Sequence, residues 1–226
     1  MGNDVRLADI IDWDIRNWSA SLDFWTKHSS QDLSRCTALE IGCGRGGLSL
    51  WMAAKGAKVT CSDFNGARQE ALDNHKSSGV WDRIAYESID ATDIPYTNHF
   101  DVIVFKSMLG IINSRDLQAK AIKEMHKALK AGGELFFAEN LTASPVHQYL
   151  RRRFVRWGKL WRYVSIDEMK EFLSPFSDIS LHAVGVAGTL GRSERQRNAL
   201  GIFDKVVLDH ITPNRWKYIL LGVARK

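Results

Sequence analysis

Residues 40–47, Glu-Ile-Gly-Cys-Gly-Arg-Gly-Gly, combine a carboxylate with glycines at a spacing that suits close contact between backbone and ligand. A short apolar run (Ala38, Leu39, Ile41) enters this turn, and a helix-like stretch, Leu48 to Lys55, leaves it. In such a strand–turn–helix, Gly42, Gly44 and Gly46 let the backbone approach a bound molecule without side-chain hindrance. A second carboxylate, Asp63, ends the next apolar run about 20 residues downstream, the distance at which an acid meets ribose hydroxyls. The chemistry indicated is the binding of a nucleoside-bearing cofactor.

The same stretch satisfies the dinucleotide spacing through Gly42, Gly44 and Gly47. Glu40 bears on the choice of ligand. A pyrophosphate over the turn uses backbone N–H groups and a helix N-terminus, and a neighbouring carboxylate opposes its charge. That carboxylate instead suits the ammonium group of S-adenosylmethionine. The alternative is that Glu40 only caps the turn or faces solvent.

Residues 36 to 140 resemble the class I S-adenosylmethionine-dependent methyltransferases. Glu40 to Gly47 looks like the first motif of that family, and Asp63 falls at its ribose-binding acid. Asp90-Ala91-Thr92 follows the alternating segment Ile84 to Ile89 and resembles the motif that meets adenine. Phe100 to Lys106 is similar to the fourth strand, and Leu129 to Ala138 to the turn into strand five. The resemblance implies that Gly42 and Gly44 hold the methionine end and that Asp63 accepts from the ribose. It implies that Phe64 and Ile94 flank the adenine, with Asp90 and the Ala91 N–H on its edge. Lys106 would offer its backbone carbonyl to the cofactor ammonium and its side chain to the acceptor. A helix before strand one closes over the cofactor in related enzymes, so Arg16 is expected at the methionine carboxylate, with Trp18 or Trp25 walling the pocket. Alternatively, Trp18, Leu22 and Trp25 pack that helix onto the body.

The acceptor is addressed by charge. Residues 1–140 carry 16 Lys+Arg against 19 Asp+Glu, and residues 141–226 carry 15 against 7. The basic half centres on residues 151–163, with six basic residues and no acid. If this stretch is helical, Leu150, Phe154, Trp157 and Trp161 share a face. Arg151, Arg152, Arg153 and Trp157 are the expected acceptor residues, in a lid gripping a small anionic molecule such as a sugar, a nucleotide-sugar or a secondary metabolite. A solvated helix with core aromatics, or contact with nucleic acid or an anionic membrane surface, are the other readings. Strand four continues as Lys106-Ser-Met-Leu-Gly110 and lacks the Asn/Asp-Pro-Pro-Tyr type of motif found in base amino-group methyltransferases, so nucleic acid is not favoured.

Methyl transfer needs alignment more than side-chain chemistry. For a hydroxyl acceptor His147 is the best-placed general base, with Lys106 able to stabilise a developing alkoxide; a surface or helix-capping histidine is the alternative. His28, His99 and Glu139 are weaker choices. No histidine, cysteine or carboxylate spacing suggests a metal site. Cys36, Cys43 and Cys61 form no paired framework, and Cys43 fits its turn as a small residue.

Elements that would position these groups follow from periodicity. Strands are expected near 37–42, 58–62, 84–88, 101–106, 133–138, 179–186 and 216–224, and helices near 18–28, 46–55, 66–77, 116–130, 166–173 and 193–209. Two of these helices open on a capping-box pattern, Ser165-Ile-Asp-Glu168 and Ser193-Glu-Arg-Gln196. This alternation predicts an α/β fold with a doubly wound, seven-stranded, mostly parallel sheet and an antiparallel last strand. Residues 1–226 are expected to form a single domain: an N-terminal cap (1–35), a cofactor core (36–140), and an acceptor half (141–226) with a lid at 145–164 and an insertion at 187–215. Composition (45% hydrophobic, 25% charged) suits a soluble chain, and the reduced cysteines and absent leader pattern suggest the cytoplasm. A nicotinamide oxidoreductase and a non-catalytic cofactor-binding partner of another chain are the competing functions.

Overall fold

The computed structural model describes residues 5–154 and 160–226. Its elements run α1 (Leu7–Ile10), α2 (Ile15–His28), β1 (Thr37–Ile41), α3 (Gly47–Ala54), β2 (Lys58–Asp63), α4 (Gln69–Ser77), β3 (Ile84–Ser88), β4 (Phe100–Lys106) and α5 (Arg115–Ala128). They continue as β5 (Leu129–Asn140), α6 (Pro145–Phe154), α7 (Ile166–Phe172), β6 (Asp178–Val184), α8 (Glu194–Phe203), α9 (Asp209–Ile211) and β7 (Ile219–Arg225). All seven strands form one sheet in the order β3-β2-β1-β4-β5-β7-β6. The pairs from β3 to β5 are parallel, and β7 runs antiparallel to both β5 and β6.

Central strands of a parallel sheet are covered on both faces, so β4 is apolar from Val102 to Phe105 and β5 from Leu135 to Ala138. Alternation sorts their side chains: Val102, Val104 and Phe136 pack with Trp18, Trp25 and Met52 on one face. Ile103, Phe105 and Phe137 pack with Ile122, Met125 and Phe172 on the other. On α5, Gln118, Ala121, Ile122, Met125 and Ala128 are buried, a stripe of helical period.

Three expectations change. β5 begins at Leu129 rather than 133, because Leu129 pairs with Phe100 ahead of a register shift. Ser193 caps α8 by accepting from Gln196 N–H, but the Gln196 side chain turns to the Arg192 N–H, so the expected second capping box stays half-formed. Ser165 and Glu168 form the complete box at α7. Finally, the described helix in the basic stretch runs to Phe154, residues 155–159 lie outside the described residues, and Trp161, packed against Gly110, belongs to no helix. Among the described residues no helix is long and apolar enough to cross a membrane.

Candidate active site

The glycine turn joins β1 to α3 at the carboxyl end of the sheet, where crossovers leave a crevice. Gly44 has φ +53°, and a Cβ there would meet nothing within 4 Å, so the backbone faces open space in a left-handed conformation that favours glycine. Its N–H donates to Asp63 Oδ2 at 3.0 Å, and Phe64 N–H donates to Oδ1 at 2.8 Å. The end of β2 and the turn are thereby locked together. Behind them, His75 engages the Gly46 carbonyl at 2.7 Å and the Tyr86 hydroxyl at 2.9 Å, a support that had no signal in the sequence. At Gly47 the constraint is space: a Cβ would fall on the Ile10 carbonyl oxygen, far inside contact distance.

Glu40, Gly42, Gly44, Asp63, Phe64, Asp90, Ala91 and Lys106 line one cavity of about 380 Å³. Glu40 is buried and accepts from Ser49 N–H at 2.8 Å and Ser49 Oγ at 2.5 Å. Ser49 lies in the first turn of α3, so the carboxylate occupies the N-terminus of that helix. Glu40 therefore caps a helix and walls the cavity at once. Burial pushes its carboxyl up to about 7, against the pull of these donors and of Lys106.

Phe64 is exposed on the cavity wall, whereas Ile94 is buried in the core with Ile89; of the two isoleucines it is Ile89 that lines the cavity. Asp90 accepts from Thr92 N–H (2.7 Å) and Oγ1 (2.8 Å), which shapes its own turn and leaves Oδ2 without a protein donor there.

Lys106 ends β4 with Nζ 3.1 Å from Asp12 Oδ1 and 5.2 Å from the centre of the Trp18 ring. The loop that follows is held from below. Glu139, buried on β5, accepts from the N–H groups of Met108 (2.9 Å), Leu109 (2.8 Å) and Asn140 (2.8 Å), and burial pushes its carboxyl up to about 7. It supports the loop rather than facing an acceptor.

The N-terminal cover differs from expectation. Ile10, Asp12 and Trp13, in and just after α1, line the cavity. Trp18 does not; it is fully buried against the body, as Trp25 is beside Trp51 and Phe136. Arg16 points away, with Nε on Asn198 Oδ1 at 2.7 Å, and its role at the methionine carboxylate is not supported by this placement. Asp14 causes the change. It is buried in the left-handed region (φ 44°), and it reverses the chain before α2 so that Trp13 and Arg16 take opposite sides.

The acceptor residues expected on α6 also fall elsewhere. Arg151 is buried, donates to the Leu141 carbonyl at 2.6 Å and stacks 4.1 Å from the Tyr163 ring centre. Arg152 and Arg153 are exposed in the last turn of α6, outside the cavity lining. Trp157 lies outside the described residues. His147 is buried with Nε2 on the Val186 carbonyl (2.6 Å) and Nδ1 on Ser144 Oγ (2.7 Å). Its burial lowers the imidazole pKa, and with both nitrogens engaged it is a structural histidine rather than a base facing the cavity. Among the described residues there is no group of three or more His, Cys, Asp or Glu able to hold a metal.

Comparison with known proteins agrees with the geometry. Residues 38–133 match the family described as a methyltransferase domain. Methyltransferase GfsG of Streptomyces halstedii is 34% identical over 105 residues, which are 45% of this chain and 36% of that protein. A ubiquinone biosynthesis O-methyltransferase of Pseudomonas syringae pv. tomato is 34% identical over 103 residues, 44% of this chain and 42% of that one. The chain thus spans well under half the length of these two relatives. The structure of Haemonchus contortus phosphoethanolamine N-methyltransferase 2 in complex with S-adenosylmethionine superposes with a TM-score of 0.65 at 18% identity, over 92% of this chain and 52% of that one, and so shares the fold. Residues 38–133 thus match a methyltransferase domain, and the sheet order is that of the class I S-adenosylmethionine-dependent methyltransferase fold.

Proposed function

We propose that this protein binds S-adenosylmethionine in the cavity above β1, β2 and β4 and transfers its methyl group to an oxygen or nitrogen of a small-molecule acceptor. The observation that carries this reading is the seat of Glu40. Its carboxylate takes the Ser49 N–H group in the first turn of α3, a donor from the helix end that a dinucleotide pyrophosphate would need. The nicotinamide reading is therefore disfavoured, and the wall presents negative charge to a cationic amino-acid end. In this reading Asp63 accepts from ribose hydroxyls, Phe64 and Ile89 flank the base, and Asp90 with the Ala91 N–H meets its edge; that all five line the one cavity supports it.

When bound, the sulfonium cofactor supplies an electrophilic methyl group. The chain supplies alignment and dryness: Ile10, Trp13, Met108, Ile111 and Ile112 form apolar wall around the remaining volume, where the acceptor would lie. Lys106 is the cation at that end, which supports an acceptor carrying an anionic group, while the arginines of α6 do not contribute to the lining. Among the described lining residues none is a histidine, which supports an acceptor already nucleophilic at neutral pH.

Calorimetry with S-adenosylmethionine, S-adenosylhomocysteine and NAD tests the cofactor. Binding of the first two and not the third is expected, with Asp63→Ala weakening it about 10- to 100-fold, the worth of one or two charged hydrogen bonds. NAD binding, or unchanged affinity in Asp63→Ala, overturns the assignment. Incubation with methyl-deuterated cofactor and a small-molecule cell extract then identifies the acceptor by mass; label appearing only in protein or nucleic acid refutes a small-molecule substrate.

A further inference from the structure

The helical run from Glu194 to Ile211 (α8, a π-helical turn at Asp204–Leu208, and α9) is seated with its polar side inward. Glu194 accepts the N–H groups of Asp14 (2.9 Å) and Ile15 (2.7 Å), and Asn198 accepts from Arg16. Asp204 is fully buried and accepts from the N–H groups of Ala187 (2.7 Å) and Gly188 (2.8 Å) and from Asn17 Nδ2 (3.0 Å). Asp209 accepts from Gly185 N–H at 2.8 Å. An amphipathic helix ordinarily does the opposite.

Its outer side is consequently apolar. Ile202, Phe203, Val206 and Ile211 are 45, 48, 66 and 72% exposed, with Val207 beside them. They recur at spacings of three to five residues, so they share the side turned from the body. The exposed charged residues of 187–217 have one sign. Arg192, Arg195, Lys205 and Arg215 are exposed and have no acidic partner among the described residues. The acids of residues 187–217 are Glu194, Asp204 and Asp209, all of which are engaged with the body.

We propose that this face docks on an anionic lipid bilayer surface, its apolar side chains entering the boundary between headgroups and acyl chains while the four cations meet lipid phosphates. Bulky apolar residues ringed by unpaired basic ones are the pattern of an interfacial helix. A second copy of the chain fits less well, since a two-fold contact would bring like charges together. Nucleic acid would match the cations and leave the aliphatic side chains without a partner. The proposal concerns where the protein sits and is independent of the methyl-transfer reading.

Co-sedimentation of the full chain with vesicles decides it. Equimolar phosphatidylcholine and phosphatidylglycerol should bind the protein about 10-fold or more tightly than phosphatidylcholine alone, an advantage that shrinks as salt is raised. The pair Ile202→Glu/Val206→Glu, and separately Arg195→Glu/Lys205→Glu, should each reduce that partition about 10-fold. Both pairs lie on exposed side chains, and circular dichroism with calorimetric cofactor binding checks the fold. Three results overturn the proposal: no preference for anionic vesicles, undiminished binding in folded variants, or a wild-type dimer that the variants convert to monomer without any loss of vesicle binding.

Discussion

Lys106 Nζ and Asp12 Oδ1 stand 3.1 Å apart on the cavity wall, joining the last residue of β4 to the link between α1 and α2. The pair is partly exposed and so contributes only about 0.2–1 kcal/mol to stability. Its importance is positional, because it ties the cover to the end of the strand beside the proposed methyl acceptor. Lys106→Met should leave melting and S-adenosylmethionine affinity almost unchanged and lower kcat/KM for the acceptor by about 10-fold or more, equivalent to the 1.4 kcal/mol expected of one charge-assisted contact. Equal losses in cofactor affinity and kcat/KM would place Lys106 on the cofactor instead.

Glu40 gives a pH dependence with a definite sign. Its folded carboxyl titrates near 7 against an ordinary value of 4.5, so between these limits the folded state holds a proton that the unfolded chain has released. The contribution to stability is complete below pH 4.5 and is lost as pH rises through 7. Glu139 and Asp14 are raised to about 7 in the same direction, while buried His75 and His147, with lowered values, act oppositely as pH falls. The Glu40 share is isolated by Glu40→Gln, which should flatten the decline in melting temperature between pH 5 and 8. Calorimetry in buffers of different ionisation enthalpy should also show proton release at pH 7 on binding either S-adenosylmethionine or S-adenosylhomocysteine, which share the cationic amino-acid end, and less release in Glu40→Gln.

Arg151 and its neighbours should separate cleanly. Arg151→Met leaves the Leu141 carbonyl unpaired and removes the stack on Tyr163, a loss of about 2–4 kcal/mol in denaturant unfolding. Arg152→Ala and Arg153→Ala, both exposed, should stay within about 0.5 kcal/mol of wild type.

Gly47→Ala tests the contact between cover and turn. The added methyl cannot coexist with the Ile10 carbonyl, so α1 must lift from α3. Cofactor affinity should fall about 10-fold or more because a cavity wall is displaced. Protease cleavage near residue 10 should accelerate, while hydrogen exchange in β4 and β5 should remain unchanged.

The cofactor end was legible in the sequence because its determinants are local. A glycine turn after one strand and an acid at the tip of the next need only the register of two neighbours, Glu40 with Cys61, to meet. The cover was not legible, for its geometry depends on Asp14, whose carboxylate receives the Tyr218 hydroxyl across more than 200 residues of chain. Trp13 and Trp18 look equivalent in sequence, and only that reversal sends one to the cavity and the other to the core. His147 and Arg151 were misjudged for a different reason. Their partners are the backbone carbonyls of Val186 and Leu141, which carry no side-chain signature. The inverted seating of α8 was hidden because periodicity reveals an apolar side of a helix and not the direction in which it points.

The order of strands has a consequence for synthesis. β7 follows the other six strands in the chain yet lies between β5 and β6. As the polypeptide emerges from the ribosome, β5 therefore keeps a bare edge until residues 219–225 arrive, with Phe136 and Phe137 lacking their cover from that strand. Open edges of this kind invite pairing with other chains. Tyr218, which anchors Asp14, arrives at the same moment, so the nascent protein completes its ligand cover and closes its most vulnerable edge in one late event.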